Sequence, residues 1–248
     1  KTHLERIYSA KPFSWTSEGL QLQERDRDKI LNTWTETSSK LVPFRPPMNA
    51  KAPGLDGIFL HELLGAEKYL QKLLDTIIKT GKVPEGFKES LIFPLFKKGD
   101  KKVVDCYRTI SLQPIIANYI MRSFIPTCRE ITNRTVMPFQ FNRPNHNCQD
   151  NIFVLNSLIN LCKSSKVKLY LLFSDLKKAF DSVARAFVFL VLRNRCPPSL
   201  AELLIHLHQK AKLFFQDECT ESDSGVLQGA TLAAVIFVWI MDEIMREW

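Results

Sequence analysis

Hydrophobic residues recur at the helical period of 3.6 between Leu60 and Ile78, and Gly81 follows this stretch. The pattern predicts an amphipathic helix that ends at the glycine, because glycine readily takes the left-handed conformation that closes helices. Turn residues at 83–86 then lead into a predicted apolar strand over 91–96. Further helices are predicted over 115–132, 152–162, 182–194 and 230–248. Ser199 and Glu202 form a predicted capping box, which indicates one more helix that begins after Ser199.

The run at 167–174 differs from these helices because nearly every position in it is apolar. Such a run is typical of a strand that is covered on both faces. The run ends at Asp175, and a carboxylate at the end of a buried strand is held rigidly and faces solvent. Since helices outnumber strands in this pattern, the sequence predicts an α+β protein with a small sheet.

The charge balance favours a polyanionic partner. The chain of 248 residues has 34 Lys and Arg against 26 Asp and Glu, a net charge of +8, and neutralising phosphates with such residues releases counterions. Many basic proteins nevertheless bind no nucleic acid. The six cysteines are scattered, which indicates reduced thiols of an intracellular protein, in the nucleus or cytoplasm, rather than a secreted one. The apolar run 232–241 is roughly half a membrane span, so no membrane partner is expected.

The strongest chemical signal is the segment 175–183, which reads D-L-K-K-A-F-D-S-V. An isolated Asp in this position would more often cap the following helix than bind a metal. However, the whole segment resembles the first catalytic motif of reverse transcriptases from non-LTR, LINE-like retrotransposons. Four further resemblances occur in the order of that family, at 51–57 (K-A-P-G-L-D-G), 94–100 (P-L-F-K-K-G-D), 107–112 (Y-R-T-I-S-L) and 225–229 (G-V-L-Q-G).

The resemblance implies a right-hand polymerase fold, with helical fingers and an incomplete palm that contains a small antiparallel sheet. It divides the chain into an N-terminal extension and linker at 1–47, a fingers-like region at 48–166 and a partial palm at 167–248. The implied partners are an RNA template, a DNA primer and a deoxynucleoside triphosphate (dNTP). The implied cofactor is Mg²⁺ in a two-metal site.

The resemblance also assigns roles to individual residues. Asp175 is expected to be the catalytic metal ligand, together with the backbone carbonyl of Leu176. The ring of Phe180 is expected to lie under the nucleotide sugar and to clash with a 2′-hydroxyl group. The remaining expected nucleotide-binding residues are Arg108, Lys97, Lys98, Gln228 and Gly229, whereas Asp181 is interpreted as a helix cap.

The sequence departs from the family pattern in several places. Thr109 stands where the family usually has proline, and the second carboxylate motif, Y/F-A-D-D, does not occur. The chain is therefore expected to stop before that hairpin and to be inactive alone. Two functions remain open at this point: the reverse transcriptase segment of a longer active enzyme, and a degenerate relic that binds nucleic acid without catalysis.

Overall fold

The computed structural model describes residues 40–43, 52–140, 143 and 145–247. Most of the predicted extension and linker at 1–47 lies outside these residues, as does Lys51 at the start of the K-A-P-G segment. In the described part of the chain, the helices are α1 (Glu67–Thr80), α2 (Ile115–Met121), α3 (Ile125–Thr135), α4 (Cys148–Ser164), α5 (Ala179–Ser182), α6 (Arg185–Arg195), α7 (Pro198–His208) and α8 (Ala233–Arg246). The strands are β1 (Glu89–Phe96), β2 (Tyr107–Leu112), β3 (Ala211–Phe215) and β4 (Glu218–Ser222).

The first predicted helix is shorter than its hydrophobic pattern suggests. A separate 3₁₀ turn covers Leu60–Leu63, and Gly65 at φ 84° interrupts the chain before α1 begins. The predicted end is confirmed: Gly81 has φ 65°, and its N–H donates to the carbonyl of Ile77. The remaining helices lie close to their predicted positions. The prediction of a capping box at Ser199 and Glu202 is wrong, because α7 begins at Pro198 and has no side-chain cap.

The four strands form one mixed sheet in the order β2-β1-β3-β4. β1 pairs antiparallel with β2, in a register that sets Leu95 opposite Arg108, and β3 pairs antiparallel with β4. β1 and β3 are parallel, so the prediction of an antiparallel sheet is wrong for this pair. A parallel pair requires a long crossover, and the helices from α2 to α7 lie between these two strands in the chain.

The run at 167–174 is not a strand in this structure. It has no assigned secondary structure, and its side chains are exposed, including Tyr170 at 85%, Leu172 at 82% and Phe173 at 77%. The prediction of a strand covered on both faces is therefore wrong. A strand requires a neighbour for its backbone hydrogen bonds, and the strands of the described sheet pair with one another instead. Helix α4, just before this run, likewise buries none of its residues.

The main hydrophobic core lies among the helices. Trp239 of α8 is fully buried, and its indole N–H donates to the hydroxyl of Thr132 in α3 at 2.9 Å. A smaller cluster of Ile92, Ala211, Leu213 and Leu227 lies beside the sheet. Because Leu227 belongs to the turn that follows β4, this second cluster anchors that turn against β1 and β3. The turn is thereby positioned between the sheet and the helices.

Candidate nucleotide-binding site

A cavity of about 350 Å³ opens where three separate segments of the chain meet. The segments are the β1–β2 hairpin, residues 176–181 and the turn at 224–229. Its walls carry cationic, aromatic and amide side chains, and one buried carboxyl group. The lining residues are Pro94, Lys97, Val104, Tyr107, Arg108, Thr109, Leu176, Lys178, Ala179, Phe180, Asp181 and Gln228.

The β1–β2 hairpin supplies two cations to this cavity. Lys97 directly follows β1, and its N–H donates to the Cys106 carbonyl at 2.9 Å, which closes the loop between the strands. Arg108 lies in β2 and is exposed toward the cavity side of the hairpin. Lys98 is exposed but does not line the cavity. The structure therefore brings Lys97 and Arg108 together and leaves Lys98 outside.

Phe180 is fixed by contacts on two sides. Its ring stacks on Phe237 of α8, with ring centroids 4.4 Å apart and an interplanar angle of 23°. Its carbonyl accepts a hydrogen bond from Val226 N–H at 2.8 Å. Gly225, at φ 70°, allows this approach, since an added Cβ would lie 2.4 Å from the Phe180 carbonyl oxygen. The aromatic side chain is thus held in place at the wall of the cavity.

Gln228 and Gly229 face different spaces, although they are adjacent in the chain. The carbonyl of Gln228 accepts a hydrogen bond from Ser111 N–H at 2.7 Å, which joins the turn to β2. Gln228 lines the main cavity, whereas Gly229 lines a second cavity of about 440 Å³, together with Ser111 and Asn118. Gly229 has φ 113°, and a Cβ there would lie 2.6 Å from the Ser111 carbonyl oxygen.

Asp181 is a buried member of the cavity wall that the sequence interpretation missed. It caps neither α5 nor α6, whose first residues have no side-chain cap, so the prediction of a helix cap is wrong. The Thr109 side chain hydrogen-bonds its carboxyl group, while Oδ1 has no partner. Burial raises the pKa of Asp181 to about 6, against the opposing effect of the nearby Lys178 and Lys97 ammonium groups. The signal in the sequence was Thr109, which replaces the usual proline and supplies this hydroxyl.

Asp175 is exposed and does not line the cavity, although the neighbouring Leu176 does. No group of three His, Cys, Asp or Glu residues that could hold a metal ion is found among the described residues. One exposed carboxylate supplies too few oxygen ligands for a pair of Mg²⁺ ions. The described residues therefore do not by themselves fit a two-metal site.

Comparison with known proteins identifies the family. Residues 96–248 match the family described as reverse transcriptase (RNA-dependent DNA polymerase), and the chain belongs to this family. This match, together with the two relatives described below, confirms the resemblance to reverse transcriptases of non-LTR retrotransposons. Members of this family generally use divalent metal ions and act on an RNA template and nucleotides.

Two curated relatives are similar over most of the chain. The transposon TX1 uncharacterized 149 kDa protein of Xenopus laevis is 23% identical over 202 residues, which cover 76% of this chain and 15% of that protein. The Retrovirus-related Pol polyprotein from type-1 retrotransposable element R2 of Nasonia vitripennis is 21% identical over 232 residues, which cover 91% of this chain and 22% of that protein. The chain thus spans less than a quarter of the length of either relative. Among the described helices, none is long and apolar enough to cross a membrane.

Proposed function

We propose that this chain forms the nucleotide-binding part of an RNA-directed DNA polymerase from a non-LTR retrotransposon. In this proposal, residues 48–166 form the fingers and residues 167–248 form the first part of the palm. The observation that carries the proposal is the main cavity, where Lys97, Arg108, Phe180 and Gln228 meet from three separate segments. A dNTP requires cations for its phosphates and a flat apolar surface for its sugar, and these side chains offer both.

Lys97 and Arg108 bind the triphosphate in this proposal. A planar guanidinium group can donate two parallel hydrogen bonds to phosphate oxygens, whereas an ammonium group acts as a compact point charge. Arg108 is held by the β1–β2 ladder opposite Leu95, so its backbone position is rigid. Lys98 lies outside the cavity, and it is proposed to contact phosphates of the template rather than those of the nucleotide.

Phe180 selects the sugar. Because its ring is stacked on Phe237 and its carbonyl is bound by Val226, it cannot easily move away from an additional hydroxyl group. A 2′-hydroxyl placed against the ring would lose its hydration without gaining a hydrogen bond. Gln228 contacts the sugar from the opposite segment, and Gly229 allows the backbone to approach the base pair.

Asp175 is the proposed metal ligand of this chain, together with the carbonyl oxygen of Leu176. No group of three or more metal-ligating side chains includes Asp175 among the described residues, so the proposal for nucleotidyl transfer applies to a longer protein that contains this chain. The net charge of +8 of the 248-residue chain favours binding of the RNA template and DNA primer.

The experiment is equilibrium dialysis of labelled dTTP, dUTP and UTP against the 248-residue chain in the presence of Mg²⁺. Arg108→Gln should weaken dTTP binding about tenfold, the size expected for losing charge-assisted hydrogen bonds. Arg193→Gln, which changes an exposed arginine remote from the cavity, is the control. Phe180→Val should reduce the preference for dUTP over UTP, which differ only in the 2′-hydroxyl group. Failure of the chain to bind dTTP, or equal effects of the two arginine substitutions, would contradict the proposed function.

A further inference from the structure

Lys178 is a third cation in the lining of the main cavity, beside Lys97 and Arg108. It precedes α5 in the left-handed conformation, with φ 50° and ψ 46°. This conformation costs a non-glycine residue about 1 kcal/mol or more. Its carbonyl accepts hydrogen bonds from the N–H groups of Asp181 and Ser182, each at 3.0 Å. The strained backbone thus starts α5 and at the same time directs the Lys178 side chain to the cavity wall.

The ammonium group of Lys178 is paired with Asp105, at 2.7 Å between Nζ and Oδ1. Asp105 lies in the 3₁₀ turn Val104–Cys106 just before β2, so the ion pair connects the β1–β2 hairpin to the segment after Asp175. Among the described residues, no other salt bridge joins these two segments. The Asp105 side chain is 54% exposed and that of Lys178 is 29% exposed. An ion pair this open to water is weak and exchanges partners easily.

Three cations, Lys97, Arg108 and Lys178, therefore line one cavity. Lys97 and Lys178 are close enough to the buried carboxyl of Asp181 for both to lower its pKa. Cations grouped in one small space repel one another unless anions are near, and Asp105 supplies such an anion to Lys178. A triphosphate would supply more negative charge and more acceptor oxygens than one carboxylate does.

We propose that Lys178 is a third ligand of the triphosphate, and that Asp105 holds its ammonium group until the nucleotide displaces the carboxylate. This inference rests on the proposed function, since it assigns one more contact within the same nucleotide site. It makes Asp105 a competitor of the nucleotide. If the ion pair only held the hairpin against α5, Asp105 would instead assist nucleotide binding.

The two substitutions of this pair therefore have opposite expected effects. Lys178→Gln should weaken dTTP binding about tenfold and leave dTMP binding much less affected, because the lost contact is to the outer phosphates. Asp105→Asn should tighten dTTP binding about two- to threefold, the modest size expected for releasing an exposed ion pair. In the Lys178→Gln background, Asp105→Asn should have no effect on dTTP binding.

The measurement is equilibrium dialysis of dTTP and dTMP with Mg²⁺, using the 248-residue chain and matched controls. Lys177→Gln removes the adjacent exposed lysine, which does not line the cavity, and Asp100→Asn removes an acidic charge from the same hairpin loop. Thermal melts of every variant separate effects on binding from effects on folding. Both controls should bind dTTP as the parent chain does.

The inference is overturned if Asp105→Asn and Lys178→Gln weaken dTTP binding alike, because an ion pair with a purely structural role would behave in this way. It is also overturned if Lys178→Gln behaves as Lys177→Gln does. In both cases, an effect of Arg108→Gln on dTTP binding would leave the proposed function standing. Absence of dTTP binding by the parent chain would overturn both this inference and the proposed function.

Discussion

Arg195 and Asp242 form an ion pair inside the helical core, with 2.6 Å between Nη2 and Oδ2 and side chains that are 3% and 0% exposed. The same arginine donates from Nε to Glu243 at 2.6 Å and from Nη1 to Thr135 at 3.2 Å. Asp242 also accepts from the N–H of Met137 at 2.8 Å. The pair therefore joins the end of α6 to α8 and to the end of α3.

Replacing Arg195 should strongly destabilise the fold. Arg195→Leu would leave buried Glu243 without its counterion and buried Asp242 paired only with the exposed Arg246, and such a change costs about 3–5 kcal/mol. The free energy of unfolding, measured by urea denaturation, checks this value. Arg193→Leu in the same helix is the matched control, because its pair with Glu202 is exposed and worth at most about 1 kcal/mol. Equal losses for the two variants would contradict a buried network.

Gly225→Ala should destabilise the turn that holds Phe180. An added Cβ would lie 2.4 Å from the Phe180 carbonyl oxygen and 2.7 Å from the Asp181 Cα, and φ is 70°. The expected loss is roughly 2 kcal/mol or more in the free energy of unfolding. Gly86→Ala is the control, since a Cβ there meets nothing within 4 Å and no positive φ is required. Denaturation of both variants tests the contact; a neutral Gly225→Ala would show that α5 and the turn lie further apart.

The sequence predicted those parts of the fold that depend on local pattern. β1 and the end of α1 at Gly81 were both expected, because hydrophobic period and turn residues specify them within a few positions. The family motifs likewise identified Lys97, Arg108, Phe180 and Gln228, which the structure brings to one cavity. Proximity of these residues was predictable, although their roles remain proposals.

What the sequence could not supply depends on contacts between distant segments. The apolar run at 167–174 has strand-like composition, but a strand exists only where another backbone is available to pair with it. Asp181 is buried and hydrogen-bonded to Thr109 of another segment, whereas the local pattern suggested only a helix cap. The left-handed conformation of Lys178 is similarly unexpected for a lysine, and it arises where α5 meets the turn.

Cysteine reactivity should distinguish the core from the surface. Burial raises the pKa of Cys128 to about 12 and that of Cys196 well above its ordinary value, so neither forms the reactive thiolate at pH 8. Cys148 and Cys219 are exposed. Iodoacetamide should therefore modify Cys148 and Cys219 first, as measured by peptide mass spectrometry. Cys128 and Cys196 should react only after urea unfolds the chain, and their early labelling would contradict the burial of both thiols.

His208 should make the fold less stable as the pH falls. Its ring is buried, and its Nδ1 lies 2.7 Å from the Leu204 carbonyl oxygen. Burial, and secondarily the charge of Arg185, lower the pKa of His208 to about 4. Since this value is below that of the unfolded chain, the neutral ring contributes stability above pH 6.5 that is lost toward pH 4. The loss is roughly 3 kcal/mol. Urea denaturation of the parent chain and His208→Gln across this range should show a smaller pH dependence for the variant.

Asp181 should have the opposite effect over nearly the same range. Its pKa of about 6 in the folded chain is above the ordinary value of 3.8, because burial outweighs the attraction of Lys178 and Lys97. The folded state therefore binds the proton more tightly, and this contribution is complete below pH 3.8 and lost as the pH rises through 6. Asp181→Asn removes the titration, so the variant should gain on the order of 2 kcal/mol over the parent chain between pH 4 and pH 7. Denaturation at pH 4, 5, 6 and 7 provides the difference at each pH, in which the titration of His208 cancels. A difference that stays constant across the four pH values would mean that the carboxyl of Asp181 is exposed to solvent.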